Sequence, residues 1–258
     1  MGREENSFRS SSGGFSTKKY ATIYPMPQRE KEMLVRGIFS DIAPYIDPLD
    51  TAFSFGLCHL WRRKVVSCIQ KGAKVLDICT GTGELAYRIA RHVGEQGSVT
   101  GVDFCEEMLT VARGKHQHQI KNVSFLLSDA KDLVFPDNIF DVVTVSFGIR
   151  NIPDTVAVLK EVRRVLKPGG EFFCLELTRP EKRWFLPLYH LYTFVIMPSI
   201  AKVITKTTLP YSYLPRSIDA FYPPREFLRI ITECGFSQVR ADSLSLGVAT
   251  LYRATRHD

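Results

Sequence analysis

Between residues 73 and 177 short β-branched apolar runs alternate with helical stretches, and this alternation limits the folds open to the chain more than any other feature. Residues 73–78 (AKVLDI), 98–103 (SVTGVD), 123–128 (VSFLLS), 140–147 (FDVVTVSF) and 171–177 (EFFCLEL) read as strands. Residues 84–93, 106–115 and 156–166 carry helical periodicity between them. Such alternation predicts a parallel sheet with helices on both faces, and near-continuous apolar strands fit burial on both sides. Lys167-Pro168-Gly169-Gly170 reads as a stop and turn. Two helices are expected upstream, at 29–43 and at 55–69, with Pro44 and Pro48 breaking the chain between them. The exposed side of the second would carry Arg62, Arg63 and Lys64. Near the end, a helix at 224–234 precedes a closing strand pair at 238–244 and 248–253. The expected fold is α/β, a doubly wound, mostly parallel sheet of seven strands, in one domain over 29–258. Residues 1–28 read as a tail, 71–178 as a ligand-binding core, and 179–222 as a helical insertion between strands five and six.

The first strand runs into Asp77-Ile78-Cys79-Thr80-Gly81-Thr82-Gly83 and opens a helix. Glycines there let backbone approach a ligand without a Cβ in the way. Asp77 precedes the glycines, where a carboxylate repels a pyrophosphate and suits an ammonium group. Asp103 ends the second strand at about the 20-residue spacing expected of an acid that accepts ribose hydroxyls. Phe104 and Met108 follow, and Met108 could cover an adenine face or pack in the core. Ser128-Asp129-Ala130 ends the third strand, where the adenine edge would lie. These features favour S-adenosylmethionine (SAM). Ala86 takes a permitted third position of the dinucleotide pattern, so glycine count alone leaves NAD open.

Further segments carry a family resemblance over most of the chain beyond the tail. They are Ser54-Phe55-Gly56, Leu60-Trp61-Arg62, residues 133–137 (LVFPD), residues 146–152 (SFGIRNI), residues 165–170 (VLKPGG), residues 211–214 (YSYL), Ser217-Ile218 and Gly247-Val248-Ala249. The chain resembles the C-methyltransferases of ubiquinone and menaquinone biosynthesis (UbiE/MenG). The resemblance implies the Rossmann-like class I methyltransferase fold, with Thr82, Asp103, Asp129, Ala130 and Ser146 as SAM contacts. It implies methyl transfer to a ring carbon of a polyprenylated benzoquinol or naphthoquinol. The chain departs from the family where the substrate would be roofed. Cys58 stands in place of a histidine, with His59 one place later, and Tyr45 is displaced by one.

A quinol ring carbon becomes nucleophilic when its hydroxyl loses a proton, and a phenol holds that proton to a pH of about 10. The site must ease this loss. Arginine keeps its proton in proteins, so Arg150 is expected to hold a phenolate electrostatically and Asn151 to orient a hydroxyl or a water. The alternative is that Arg150-Asn151 caps the helix after the fourth strand. His59, Tyr45, Tyr211, Tyr213 and Asp219 are candidates to exchange the proton.

Residues 184–204 are mostly apolar and are flanked by Arg179, Lys182, Arg183, Lys202 and Lys206. They read either as a helix pair covering the core or as a greasy wall for an isoprenoid tail that touches anionic headgroups. Pro187, Pro198, His190 and Lys202 argue against a membrane span. The formal net charge of +7 favours an anionic partner. No RNA-recognition motif supports nucleic acid. The six cysteines are scattered without metal-ligand spacing, which points to no metal site and a reducing compartment. The expected setting is cytoplasmic, peripheral to a membrane, with a polyprenyl quinol as substrate and a homodimer left open. Two other readings stand beside it: a soluble SAM-dependent methyltransferase acting on another small hydrophobic acceptor, and a non-catalytic SAM-binding protein.

Overall fold

The computed structural model describes residues 28–115, 119–205 and 213–257. The expected tail up to residue 27, Lys206 and Tyr211 lie outside the described residues. The strands are β1 (Lys74–Ile78), β2 (Ser98–Asp103), β3 (Val123–Leu127), β4 (Phe140–Ser146), β5 (Leu166–Leu177), β6 (Phe236–Leu244) and β7 (Ala249–Arg256). The helices are α1 (Gln28–Ile42), α2 (Ile46–Phe53), α3 (Leu57–Val66), α4 (Glu84–Val93), α5 (Glu106–Lys115), α6 (Thr155–Val165), α7 (Leu186–Leu191), α8 (Met197–Thr205), α9 (Tyr213–Asp219) and α10 (Pro224–Glu233). The strands form one seven-stranded sheet in the order β3-β2-β1-β4-β5-β7-β6. Only β7 runs against its neighbours.

Period-two alternation sends successive strand residues into two cores. Leu76, Ile78, Val143, Val145, Phe172 and Cys174 face one side, which α6 and α10 cover with Val158, Leu159, Val162, Phe227 and Ile231. Val75, Val142, Phe173 and Leu175 face the other, covered by α3 and α4 through Trp61, Val65, Leu85 and Ile89. The chain order reverses where β1 sits between β2 and β4. That switch point opens a crevice beyond the carboxyl ends of the strands.

Four expectations need correction. Pro48 does not break the chain: it lies in the first turn of α2, where no intrahelical donor is lost. Lys167–Gly170 is not a turn outside the sheet, because β5 starts at Leu166. Pairing skips from Phe140↔Leu166 to Val142↔Glu171, so these residues form a bulge, with Gly169 at φ +73°. Arg62 is not on an exposed helix face but buried. Finally, the apolar insertion is not a helix pair: α7 and α8 are continuous through a π turn at Tyr192–Ile196. Pro198 lacks the N–H that an α-helix would use there, and the wider turn just before it accommodates the ring. Tyr189, Thr193, Met197, Ala201 and Thr205 form a buried stripe along this helix. Four-residue spacing drifts by roughly 40° per step in a regular helix, and the π turn slows that drift.

Candidate active site

A cavity of about 980 Å³ lies at the carboxyl ends of β1 to β4, under α1, α2 and α3. Asp77 is at its floor, 1% exposed. The Thr144 hydroxyl donates to its Oδ1 at 2.6 Å and the Thr80 hydroxyl to its Oδ2 at 2.7 Å. Burial nonetheless pushes the Asp77 carboxyl up to about 6. Asp103 accepts from the Gly81 N–H at 2.8 Å and the Cys105 N–H at 3.0 Å. Burial raises it to about 6 as well, against the pull of those donors. The turn is tight: Cys79 sits at φ +51° and Gly83 at +77°. A Cβ on Gly83 would come within 2.7 Å of the Phe125 ring, and one on Gly101 within 2.8 Å of the Thr80 hydroxyl.

Phe104, Met108, Asp129 and Ser146 also line this cavity. The hydroxyls of Ser128 and Ser146 are buried without a partner among the described residues, so both are available to a ligand. Thr82 lines the cavity too, yet its hydroxyl donates to Asp47 Oδ1 of α2 at 2.6 Å. Lys115 ties Asp47 to Glu84 beside it. Gly83 shapes the turn at the start of α4, and Ala130 packs into the core, so neither side faces the cavity.

A second cavity of about 610 Å³ is almost wholly apolar. It is walled by α1, α2, α3, the α7–α8 helix and α9, with Leu49, Trp61, Tyr189, Met197 and Tyr213 among its lining. Phe39, Ile46, Asp50, Phe147 and Arg150 belong to both cavities, so the two meet there. Arg150 is 8% exposed. Its Nη1 donates to Glu176 Oε1 at 2.6 Å and to the Phe147 carbonyl at 2.5 Å, and its Nε to Ser217 Oγ at 3.3 Å. Nη2 has no hydrogen-bond partner among the described residues. Phe147 itself stands at φ +60°, an unusual conformation for an aromatic residue, held by Arg150 on its carbonyl. Asn151 accepts from the Tyr213 hydroxyl at 2.8 Å, across the wall between the cavities.

Other expected residues lie elsewhere. His59 is bonded to Thr51 at 3.1 Å and Arg88 at 3.0 Å and lines neither cavity. Tyr45 is 37% exposed and outside both, and Asp219 is exposed as well. The helix after β4 is capped by Asp154, which accepts from the Ala157 N–H at 2.9 Å, and not by Asn151. Sequence reading missed Glu176, although a carboxylate inside the apolar strand EFFCLEL signals a buried cation as partner. It also missed Asp47 and Asp50 on α2.

The ubiE/COQ5 methyltransferase family matches residues 27–256. The chain belongs to this family. A demethylmenaquinone methyltransferase of Staphylococcus aureus (strain JH9) is 40% identical over 220 residues, covering 84% of this chain and 91% of the relative. Among solved structures, a SAM-dependent methyltransferase from Aquifex aeolicus superposes with a TM-score of 0.57 at 23% identity, over 75% of this chain and 88% of that one. The CurJ carbon methyltransferase superposes at 0.55 with 19% identity, over 73% of this chain and 50% of that one. Both confirm the fold of this family member. Its cofactor is SAM, and the first cavity fits that molecule. Two buried carboxylates, Asp77 and Asp103, and the unpartnered hydroxyls of Ser128 and Ser146 line this cavity, a donor and acceptor set compatible with an amino group and ribose hydroxyls. Its volume is in the range of small-molecule sites. The Asp77 carboxylate before the glycine turn opposes a pyrophosphate, which agrees with SAM and not NAD as the cofactor of this family.

Proposed function

We propose that this methyltransferase acts on a ring carbon of a polyprenyl quinol, of the demethylmenaquinol kind that its S. aureus relative is named for. The observation that carries this reading is the apolar cavity joined to the cofactor cavity at Arg150. A soluble polar acceptor would leave walls of Leu49, Trp61 and Met197 without purpose, whereas a quinol ring with an isoprenoid tail matches them. When bound, SAM supplies an electrophilic methyl group. The chain's residues prepare the ring. The positive charge of Arg150, through the free Nη2, favours the phenolate over the phenol. Phenolate electron density reaches the ring carbon, which would take the methyl group as its bond to sulfur breaks, the electron pair of that bond staying on sulfur as a neutral thioether. The same ring carbon then gives up its proton to water, which restores the aromatic ring. Tyr213 and Asn151 fix the adjoining wall, so the ring is held in one orientation.

The setting follows from the insertion. The helix Leu186–Thr205 has the length and apolar composition of a span, but its Tyr189–Thr205 stripe is held by the protein. Its other side is open, with Leu188 57% and Val203 77% exposed, and Trp184 just ahead of it 70%. Exposed Arg179, Lys182, Arg183 and Lys202 accompany this face. Such a surface suits a helix lying on an anionic membrane, on the cytoplasmic side, rather than one crossing it. Leu188 and Ile196 are both exposed and part of the second cavity's wall, which gives a lipid-borne tail an entry from the bilayer. The test is mass spectrometry of lipid quinones from cells lacking the protein. Accumulation of a demethyl quinone is expected. An unchanged quinone profile, with a demethyl form of some other lipid, would replace this acceptor.

A further inference from the structure

The amino-acid end of SAM carries a carboxylate as well as an ammonium group, and Asp77 can meet only the latter. A buried carboxylate needs hydrogen-bond donors, and a cation supplies the strongest of them. Four cations line the cofactor cavity: Arg36, Arg62, Lys131 and Arg150. Arg36 is exposed on α1. Lys131 is tied to Glu32 and stands 3.6 Å from Asp129. Arg150 is paired with Glu176 at 2.6 Å. Arg62, on α3, is different. It is 6% exposed, and among the described residues its guanidinium makes one hydrogen bond, from Nη2 to Asp50 at 2.6 Å. Its Nε is buried without an acceptor. The guanidinium carbon lies 5.2 Å from the centre of the Phe147 ring, so the plane is braced by an aromatic face.

We infer that Arg62 is the anchor for the carboxylate of SAM's methionine part, with Asp50 as the residue that positions it. This rests on SAM as the cofactor and assigns a contact on a helix that precedes the whole strand-and-glycine core. The charge pattern supports the placement. Burial pushes the Asp77 carboxyl up, Thr144 and Thr80 hold it down, and Arg62 is the cation whose field adds to theirs. Asp77 and Arg62 both line the cavity and offer it an anion and a cation, as an amino acid's two charged groups require. A guanidinium has five N–H donors in a planar fork that suits a carboxylate, and the bond to Asp50 uses Nη2 alone, leaving other donors of the fork for a second acceptor. The position on α3 also gives the N-terminal helices a role in cofactor recognition.

The test compares SAM with its decarboxylated analogue, which keeps the sulfonium and the amine and lacks the carboxylate. Binding is measured by calorimetry, without acceptor and without turnover. The wild-type protein should bind the analogue about tenfold to hundredfold more weakly than SAM, the loss of one charge-assisted contact. Arg62→Gln should weaken SAM by a similar factor and change the analogue by less than about threefold, since the missing contact is already absent there. Because Arg62→Gln strands the Asp50 charge, Arg62→Gln with Asp50→Asn is measured alongside, and the same selectivity is expected. Equal weakening of both ligands by either variant would make Arg62 a brace of the fold. Unchanged SAM affinity would send the carboxylate to another cation. A wild-type protein that binds neither compound would overturn the cofactor assignment itself, a result distinct from both.

Discussion

The two cavities of this methyltransferase are built in opposite ways. The cofactor cavity is set by strand ends: Asp77, Asp103, Ser128 and Ser146 each end a strand or sit one or two residues from its end, fixed by the sheet. The apolar cavity is set by helices from before the sheet and from the insertion between β5 and β6, with α1 to α3 meeting α7 to α9. A polar ligand of fixed shape demands fixed donors and acceptors, and a hydrogen-bonded sheet holds them. An apolar acceptor demands enclosure, which side-chain packing supplies and which different residues can supply equally well. The two constructions share Phe39, Ile46, Asp50, Phe147 and Arg150, and the chemistry proposed above falls at that junction.

The largest effect expected on that comparison is at Arg150. Arg150→Ala should lower kcat by about 10²–10³, as loss of an oxyanion donor does, while SAM affinity stays near normal. The variant also leaves Glu176 buried and unpaired, which costs about 3–5 kcal/mol of stability. Arg150→Met with Glu176→Gln should recover the melting temperature but not turnover. Recovery of turnover along with stability would reduce Arg150 to a structural brace and leave the junction without its electrostatic role.

Asp103→Ala should weaken SAM about tenfold to hundredfold, for the loss of a charge-assisted acceptor. Binding of a short-chain quinol to the apolar cavity, followed by fluorescence of Trp61 in its wall, should be unchanged. Equal loss of both ligands would mean that the cavities are one energetic unit.

The pH response should separate the cavities further. Asp77 and Asp103 are raised to about 6 by burial. A carboxyl raised above its unfolded value stabilises the ligand-free fold most below about pH 3.8, and that contribution is lost as pH rises through 6. SAM's ammonium favours the ionised Asp77, so SAM affinity should fall as pH drops below 6, by up to about tenfold per unit for each group. Calorimetry across this range would check it, and a flat affinity between pH 5 and 7, on the order of two units spanning both groups, would place the two carboxylates outside the binding step.

The smallest effect concerns the outer face. The protein should bind anionic vesicles better than neutral ones, and salt should weaken the difference. Salt-independent partitioning would remove Arg179, Lys182, Arg183 and Lys202 from the account and leave only the apolar ridge.

Legibility in the sequence divides along the same line. The sheet and the loop from Asp77 to Gly83 could be read because their signals are local: alternation within a strand, glycines at a turn, an acid at a strand end. The bulge at Lys167–Gly170 was hidden because proline and two glycines look like a stop, although the ladder resumes at Glu171. Helix α2 was hidden by Pro48, whose harmlessness depends on its lying in a first turn. Arg62 shares a basic run with Arg63 and Lys64, and only its pairing with Asp50 on α2 shows that it turns inward. Glu176 needs Arg150, 26 residues earlier, to make sense of its burial. His59 and Tyr45 were plausible by residue type alone, and the fold places both outside the cavities. What is settled by long-range packing cannot be recovered from spacing along the chain.

The central claim is that the methyl group passes at the junction of these cavities to a quinol ring. It is tested most directly by supplying purified protein with methyl-labelled SAM and reduced demethylmenaquinol in anionic vesicles, then locating the label by mass spectrometry. The account predicts one labelled methyl on a ring carbon, with none on the hydroxyl oxygens, formed about 10²–10³-fold more slowly by the Arg150→Met, Glu176→Gln protein. Label on oxygen, or intact SAM binding with no transfer to the quinol, would contradict it.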